Sequence, residues 1–322
     1  VLVGQAWGES TVADPRRAAA LLEEVSGLVA DPDDATVAEI ENVRVMTVIR
    51  LGRFEECTAV ADRGGTAAVR ARRPDLAYPI RVNAASALSA GGDVRAALAQ
   101  TEAAVAATRG IAVLEQPCLS ALAFLLGYLG RHDEARHVAD EQLAMAERMD
   151  APDHVGPARH DAGLVALAAG RYADATALLG DALESTAHGF SRPAARMARA
   201  EALVARGLAD EAEAELRRAT QEEVGPQDRP WTLLPRLARV QGLIAAARGD
   251  RARHVRRLEE ALAGWRRHGS PDRGTEFMTN FVDLGRPPVA GLVEPDREIA
   301  RLTTELDAAR AANREDRCLD SR

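Results

Sequence analysis

Lysine is missing from this chain of 322 residues; all 41 basic side chains are arginine. The bias reads as the imprint of a GC-rich genome, not as a binding site. Aromatic residues make up only 3% of the sequence, although 47% is hydrophobic and alanine supplies much of that. A β-sandwich core draws on β-branched and aromatic side chains, so the composition favours closely packed helices instead. Cys57, Cys118 and Cys318 are odd in number, far apart and in no metal-ligand spacing. That excludes a disulfide framework and reads as reduced thiols in the cytoplasm. No apolar run approaches the roughly 18 residues that cross a bilayer, and no signal peptide opens the sequence. Nor is positive charge in excess: a net charge of −8 argues against a nucleic-acid binder, whose footprint is a basic surface.

The signatures of catalysis are missing too. There is no strand, glycine loop and helix in succession, hence no phosphate loop or dinucleotide fingerprint, and no GxSxG or HExxH. Asp140, Glu141, Asp153 and Asp161 lie near His137 and His160, but at spacings that fit no metal motif. Each histidine reads as a solvent-facing helix residue. The stretch 248–269 is locally basic, and its Arg253, Arg256 and Arg257 read as a solvated face paired with Glu259 and Glu260 at helical spacing. Trp7, Trp231 and Trp265 are well separated and read as gap fillers between helices. No enzyme activity, cofactor or metal is expected.

What the sequence does contain is a period. Glycines at Gly52, Gly92, Gly130, Gly170, Gly207 and Gly249 recur 37 to 42 residues apart, each between two runs of 3.6-residue apolar periodicity. Self-similarity at that spacing marks a helical solenoid. Glycine accepts the left-handed conformation that closes a helix, so each is read as a turn between two antiparallel helices. Five residues on, Ala97, Ala135, Ala175 and Ala212 let the second helix approach the first, while Cys57 and His254 hold that place in two other repeats. Prolines at 74, 117, 152, 157, 193, 226, 230 and 271 read as breaks between one helix pair and the next.

This pattern resembles the tetratricopeptide repeat. The match is fullest over His160 to Ala182, with Gly163 in the small position, Tyr172 as the aromatic, and Ala175 and Ala182 in the second helix; the repeat from Ile80 to Ala104, with Asn83, Ala85, Asp93 and Ala97, is next. The period exceeds the roughly 34 residues usual for the family and is similar to that of sensor regions in bacterial signalling proteins. The resemblance implies an all-α, right-handed α-α superhelix of about seven helix pairs. It also implies that the first helix of each pair lines a concave groove for a protein or peptide partner. The family's mid-helix asparagine is matched by Asn83; Asp161 holds that place near Gly170, and Val43, Ala121, Ala198 and Val240 hold it elsewhere. The carboxylate-clamp set of chaperone-binding members is therefore absent. Candidate groove residues are Arg44, Arg81, Asn83, His160, Asp161, Arg199 and Gln241.

The expected domains are a partial N-terminal repeat (1–36), the solenoid (37–285), a proline and glycine linker (286–295) and a stalk helix (296–322). In the partial repeat, Asp14 caps a helix after Pro15. In the stalk, Ile299, Leu302 and Leu306 form a short three-four seam, expected to pair with a second copy or to fold back near Phe277 and Phe281. The functional expectation is a non-enzymatic binding scaffold serving as the input module of a cytoplasmic bacterial signalling protein, with an output domain beyond residue 322. Two rivals give it a different output: the stalk is similar to the helix leading into diguanylate cyclase domains, and a transcription activator with a C-terminal helix-turn-helix fits less well. No nucleic acid or membrane is expected as partner.

Overall fold

A computed structural model describes residues 2–11, 14–149, 152–185, 191–221, 230–268 and 295–320. Among them are fifteen α-helices and no strand. Seven antiparallel pairs follow one another: α1 (Leu2–Thr11) with α2 (Pro15–Leu28), α3 (Asp34–Arg50) with α4 (Cys57–Arg70), α5 (Pro74–Ala90) with α6 (Val94–Thr108), α7 (Ala112–Tyr128) with α8 (His132–Arg148), α9 (Pro152–Ala168) with α10 (Tyr172–Glu184), α11 (Arg192–Ala205) with α12 (Ala209–Ala219), and α13 (Pro230–Ala247) with α14 (Arg251–His268). A last helix, α15, spans Pro295–Asp320. The first helix of each pair is called A and the second B. The chain divides into two compact units, one running from the N-terminus to Met145, the other starting at Ala146 and including α15. The linker expected at 286–295, Pro226, Pro271, Phe277 and Phe281, and the side chains of Trp231 and Cys318, lie outside the described residues.

The turns between A and B are built alike. All six expected glycines have positive φ, between 71° and 88°. At Gly170, the glycine N–H donates to Leu167 O (3.0 Å) and the Arg171 N–H donates to Ala166 O (2.9 Å). This Schellman pattern satisfies carbonyls that the helix end leaves open. The same two bonds close the turn from α4 into α5, but there the left-handed residue is Arg72, at φ 54°. Helix starts are marked by side-chain caps: Asp14 accepts from Arg16 N, Asp33 from Thr36 N, Asp93 from Ala96 N and Ser191 from Ala194 N.

Within each unit an A helix packs on its own B helix, on the preceding B helix and on the neighbouring A helix. Ala97, Ala135, Ala175 and Ala212 are fully buried, and so is Cys57. In the seventh pair the B-side residue is large: His254 of α14 faces Gly242 of α13, which holds the small position that Gly163 holds in the fifth pair, and the Gly242 carbonyl lies 2.8 Å from His254 Nδ1. Pro74, Pro152, Pro193 and Pro230 do open helices. Pro117 and Pro157 do not separate pairs as expected; they lie inside α7 and α9, as Pro79 and Pro235 lie inside α5 and α13. Each sits in the second turn of its helix, where the ring forfeits only one helical hydrogen bond. Pro235 then packs on α14, close to Gly264, where a Cβ would come within 2.7 Å of the ring.

The C-terminal helix corrects the expected stalk. Leu302, with no exposed surface, and Leu306 are buried against Ala238, Leu258, Ala261, Leu262 and Trp265, with Ile299 and Ala309 at the margin. The seam that pairing with a second copy requires is thus covered by α13 and α14 of the same chain. Burial of two leucines, at about 1.5–3 kcal/mol each, favours this arrangement over an exposed stalk.

Two substitutions test this packing. Ala175→Leu should overfill the α9–α10 crossing at a cost of about 1–3 kcal/mol, whereas Ala177→Leu, on the exposed side of α10, should cost much less; equal urea midpoints would show that the register is wrong. Arg72→Gly should raise stability by about 1 kcal/mol by relieving a left-handed non-glycine residue. A lowered midpoint would refute that reading of the turn.

Candidate functional site

Counting back from the turn glycine shows which way each A-helix position faces. The residue eight before the glycine is Arg44, Arg199 or Gln241, and all three look toward B helices. Arg44 donates to Glu23 Oε1 (2.9 Å) and Ser26 Oγ (3.1 Å) on α2 and lies 3.3 Å from Glu41. It forms one wall of a cleft of about 620 Å³ between α2 and α4. Arg199 crosses α10 at Gly180, where a Cβ would stand 3.2 Å from its guanidinium, and donates to Glu215 Oε1 (3.1 Å) on α12. Gln241 lines a cleft of about 310 Å³ between α12 and α14, with Leu216, Ile244 and Arg248.

The residue eleven before the glycine also faces B helices. Arg81 is buried over Gly65 of α4, where a Cβ would be 2.5 Å from its Nε. It donates to Gln100 Oε1 (2.7 Å), and Gln100 passes the link to Asp62 Oδ1 (2.7 Å). Burial lowers the Arg81 pKa, and Asp62 offsets part of that. Arg196 holds the same register and donates to Glu215 Oε2 (3.0 Å). Glu215, only 3% exposed, therefore receives Arg196, Arg199 and also Arg218 (2.8 Å). Arg44, Arg81, Arg199 and Gln241 are thus not groove residues of the A face. Three of them fasten helices together.

The A face belongs to positions nine, ten and six before the glycine. Asn83 stands there, its Nδ2 donating to Met46 Sδ (3.4 Å) on α3. Asp161 holds the equivalent place in the second unit, its Oδ1 3.1 Å from Nδ1 of His160. His160, expected to face solvent, is 2% exposed. Also on this face, Glu201 of α11 and Glu305 of α15 grip Arg239 of α13: NH1 to Glu201 at 2.8 Å, NH2 and Nε to Glu305 at 3.1 and 3.2 Å. Burial disfavours the Arg239 charge, but the two carboxylates outweigh it and raise its pKa. Burial likewise pushes Glu201 up, and Arg239 draws it further down, below the ordinary carboxylate range. Sequence reading missed this triad because its members lie on three helices.

The remaining candidates resolve simply. Trp265 is 1% exposed and fills the end of the second unit, whereas Trp7 is 42% exposed and fills no gap. Arg257 pairs with Glu260, but Glu259 pairs with Arg310 of α15. Burial pushes the Cys57 thiol up to about 12 and the Cys118 thiol to about 11, so neither is a nucleophile near neutrality. Among the described residues no group of three His, Cys, Asp or Glu could hold a metal ion, and no helix is long and apolar enough to cross a membrane.

Stacked helix pairs with open faces on both sides define a protein-interaction scaffold. Models of the tetratricopeptide repeat match residues 116–186 and 166–237. Residues 116–237 carry tetratricopeptide repeats. Its structure is similar to that of a tetratricopeptide repeat protein from Parabacteroides merdae ATCC 43184, with a TM-score of 0.58 and 15% identity over 87% of this chain and 97% of that one. A Rap protein complexed with Competence and Sporulation Factor aligns with a TM-score of 0.45 and 12% identity, over 96% of this chain and 98% of that one. No curated protein sequence matches significantly.

Glu215→Gln should destabilise the second unit by about 1–3 kcal/mol, because the half-buried Arg196 and Arg199 lose their charged acceptor. Glu211→Gln, on the exposed side of α12, should stay within about 0.5 kcal/mol; chemical denaturation compares the two. The Glu201 contribution should be fully present above its ordinary pKa of 4.5 and be lost as pH falls through its lowered native value. Glu201→Gln should therefore flatten the stability–pH curve below 4.5, and an unchanged slope would contradict the assignment.

Proposed function

We propose that the A face of the first unit binds an extended peptide segment, and that the chain works as the input or regulatory module of a cytoplasmic bacterial signalling protein. Asn83 carries this reading. A primary amide presents an acceptor and two donors in one plane, the complement of a backbone peptide group. Among the described residues, the hydrogen-bond partner of Asn83 is the Met46 thioether, a weak acceptor. A peptide group bound there gains hydrogen bonds without displacing strong ones. Asp161 offers a carboxylate in the same register of the second unit, suited to a ligand N–H or a cationic side chain. The long repeat, 37 to 42 residues, is similar to that of bacterial sensor regions and supports the signalling role. The free, buried Cys57 and Cys118 suit a reducing compartment.

Peptides selected by display against the full chain provide the test. Asn83→Ala should weaken their binding about 3- to 10-fold, equivalent to one net hydrogen bond of roughly 0.5–1.5 kcal/mol, with Tm nearly unchanged. Peptides that ignore Asn83 but lose affinity on charge reversal at Arg256 and Arg257 would place the site on the B helices and overturn the reading.

A further inference from the structure

The end of the second unit carries a different recognition surface, independent of Asn83. Beyond α13 and α14 lies the side on which another A helix would stack, and Ala238, Leu258, Ala261, Leu262 and Trp265 form its apolar floor. α15 occupies it with Leu302 and Leu306. Two carboxylates flank that seam, Glu298 and Glu305, seven residues apart and therefore on one side of the helix. Glu305 engages Arg239 through two hydrogen bonds, and Glu298 acts on Arg236, the neighbouring cation of α13. With α15 removed, Arg236 and Arg239 would share Glu201 alone: two guanidinium groups against one carboxylate. Floor and charges together are complementary to an acidic amphipathic helix.

The remaining ties of α15 are slight. Arg310 pairs with Glu259, and Arg251 donates to Ala312 O, all through exposed side chains, contacts that contribute little. Residues 269–294 separate α15 from α14 in sequence. We infer that this face is a helix-binding groove with an exchangeable occupant: a partner helix of the pattern Glu-x-x-x-Leu-x-x-Glu-Leu competes with α15 for the α13–α14 surface. α15 is then the internal competitor that sets the partner's affinity.

A labelled peptide of residues 295–313 serves as the probe, with full-length chains throughout. Glu305→Arg adds a further guanidinium to Arg236, Arg239 and Arg301; hydrogen exchange over 298–313 should rise about tenfold or more. That variant should bind the probe at least about tenfold more tightly than the wild type, whose tethered helix competes at high effective concentration. Adding Arg239→Glu should restore protection and weaken probe binding again. If the leucines hold α15 in place in Glu305→Arg, Leu302→Asp with Leu306→Asp releases it without touching the arginines. Release of α15 without a gain in probe binding would overturn the proposal, as would equal probe binding by wild-type and released chains. Asn83→Ala should leave all of these readings unchanged, which separates this groove from the peptide site of the first unit.

Discussion

A guanidinium group withdrawn from water must find a carboxylate or an amide oxygen, and in this protein that requirement is met within helix pairs, as where Arg196 and Arg199 share Glu215, and between them. Glu23 of the first pair holds Arg44 of the second. Asp62 of the second reaches Arg81 of the third through Gln100. Arg109, after the third pair, meets Glu115 and Glu141 of the fourth. Glu201 of the sixth holds Arg239 of the seventh, which holds Glu305 of α15. An alanine-rich core supplies close approach but little shape to choose one register over another. Charged links between successive pairs supply that choice, since a slipped register would leave a buried ion unpaired, and such errors cost far more than the correct pair contributes.

The same links explain where sequence reading succeeds and where it stops. Turn glycines and crossing alanines are local signals: Gly170 and Ala175 need only their own helix pair to be recognised, and the helix order follows from them. The direction a polar side chain faces is not local. An A helix touches three other helices, so α7 is apolar nearly all round and its periodicity names no open side. Arg44, Arg81 and Arg199 look like groove residues in the sequence because their partners lie on other helices. Asn83 is legible because its place in the repeat, not its polarity, singles it out. How His254 is accommodated is not local either: Gly242, in the small position that Gly163 holds in the fifth pair, leaves room for it on the facing helix.

The fate of the α15 seam follows from how a repeat array ends. Within the second unit the far side of α11 is covered by α13; after α13 and α14 no further pair follows among the described residues, and an apolar side is left over. The three-four spacing of Ile299, Leu302 and Leu306 suits any long helical groove. The nearest such groove is on the same chain, and Trp265 fills its depth. Glu298 and Glu305 add direction, because only one sense of the helix brings both carboxylates to the α13 arginines.

Because each charged link is peculiar to its own junction, the pairs so joined are not interchangeable parts, despite their common turns. Arg81 finds Gln100 and Asp62, but in the place of Gln100 other pairs carry Val60, Val138 or Leu178. Cutting the chain at its glycine turns and rejoining it in another order would keep every helix and every crossing, yet strand charges at most seams. Duplication of a pair during evolution therefore leaves a copy whose borders do not match, and the array lengthens only where both new borders mutate in concert. The order of the repeats is written in salt links, much as the order of words is fixed by grammar and not by spelling.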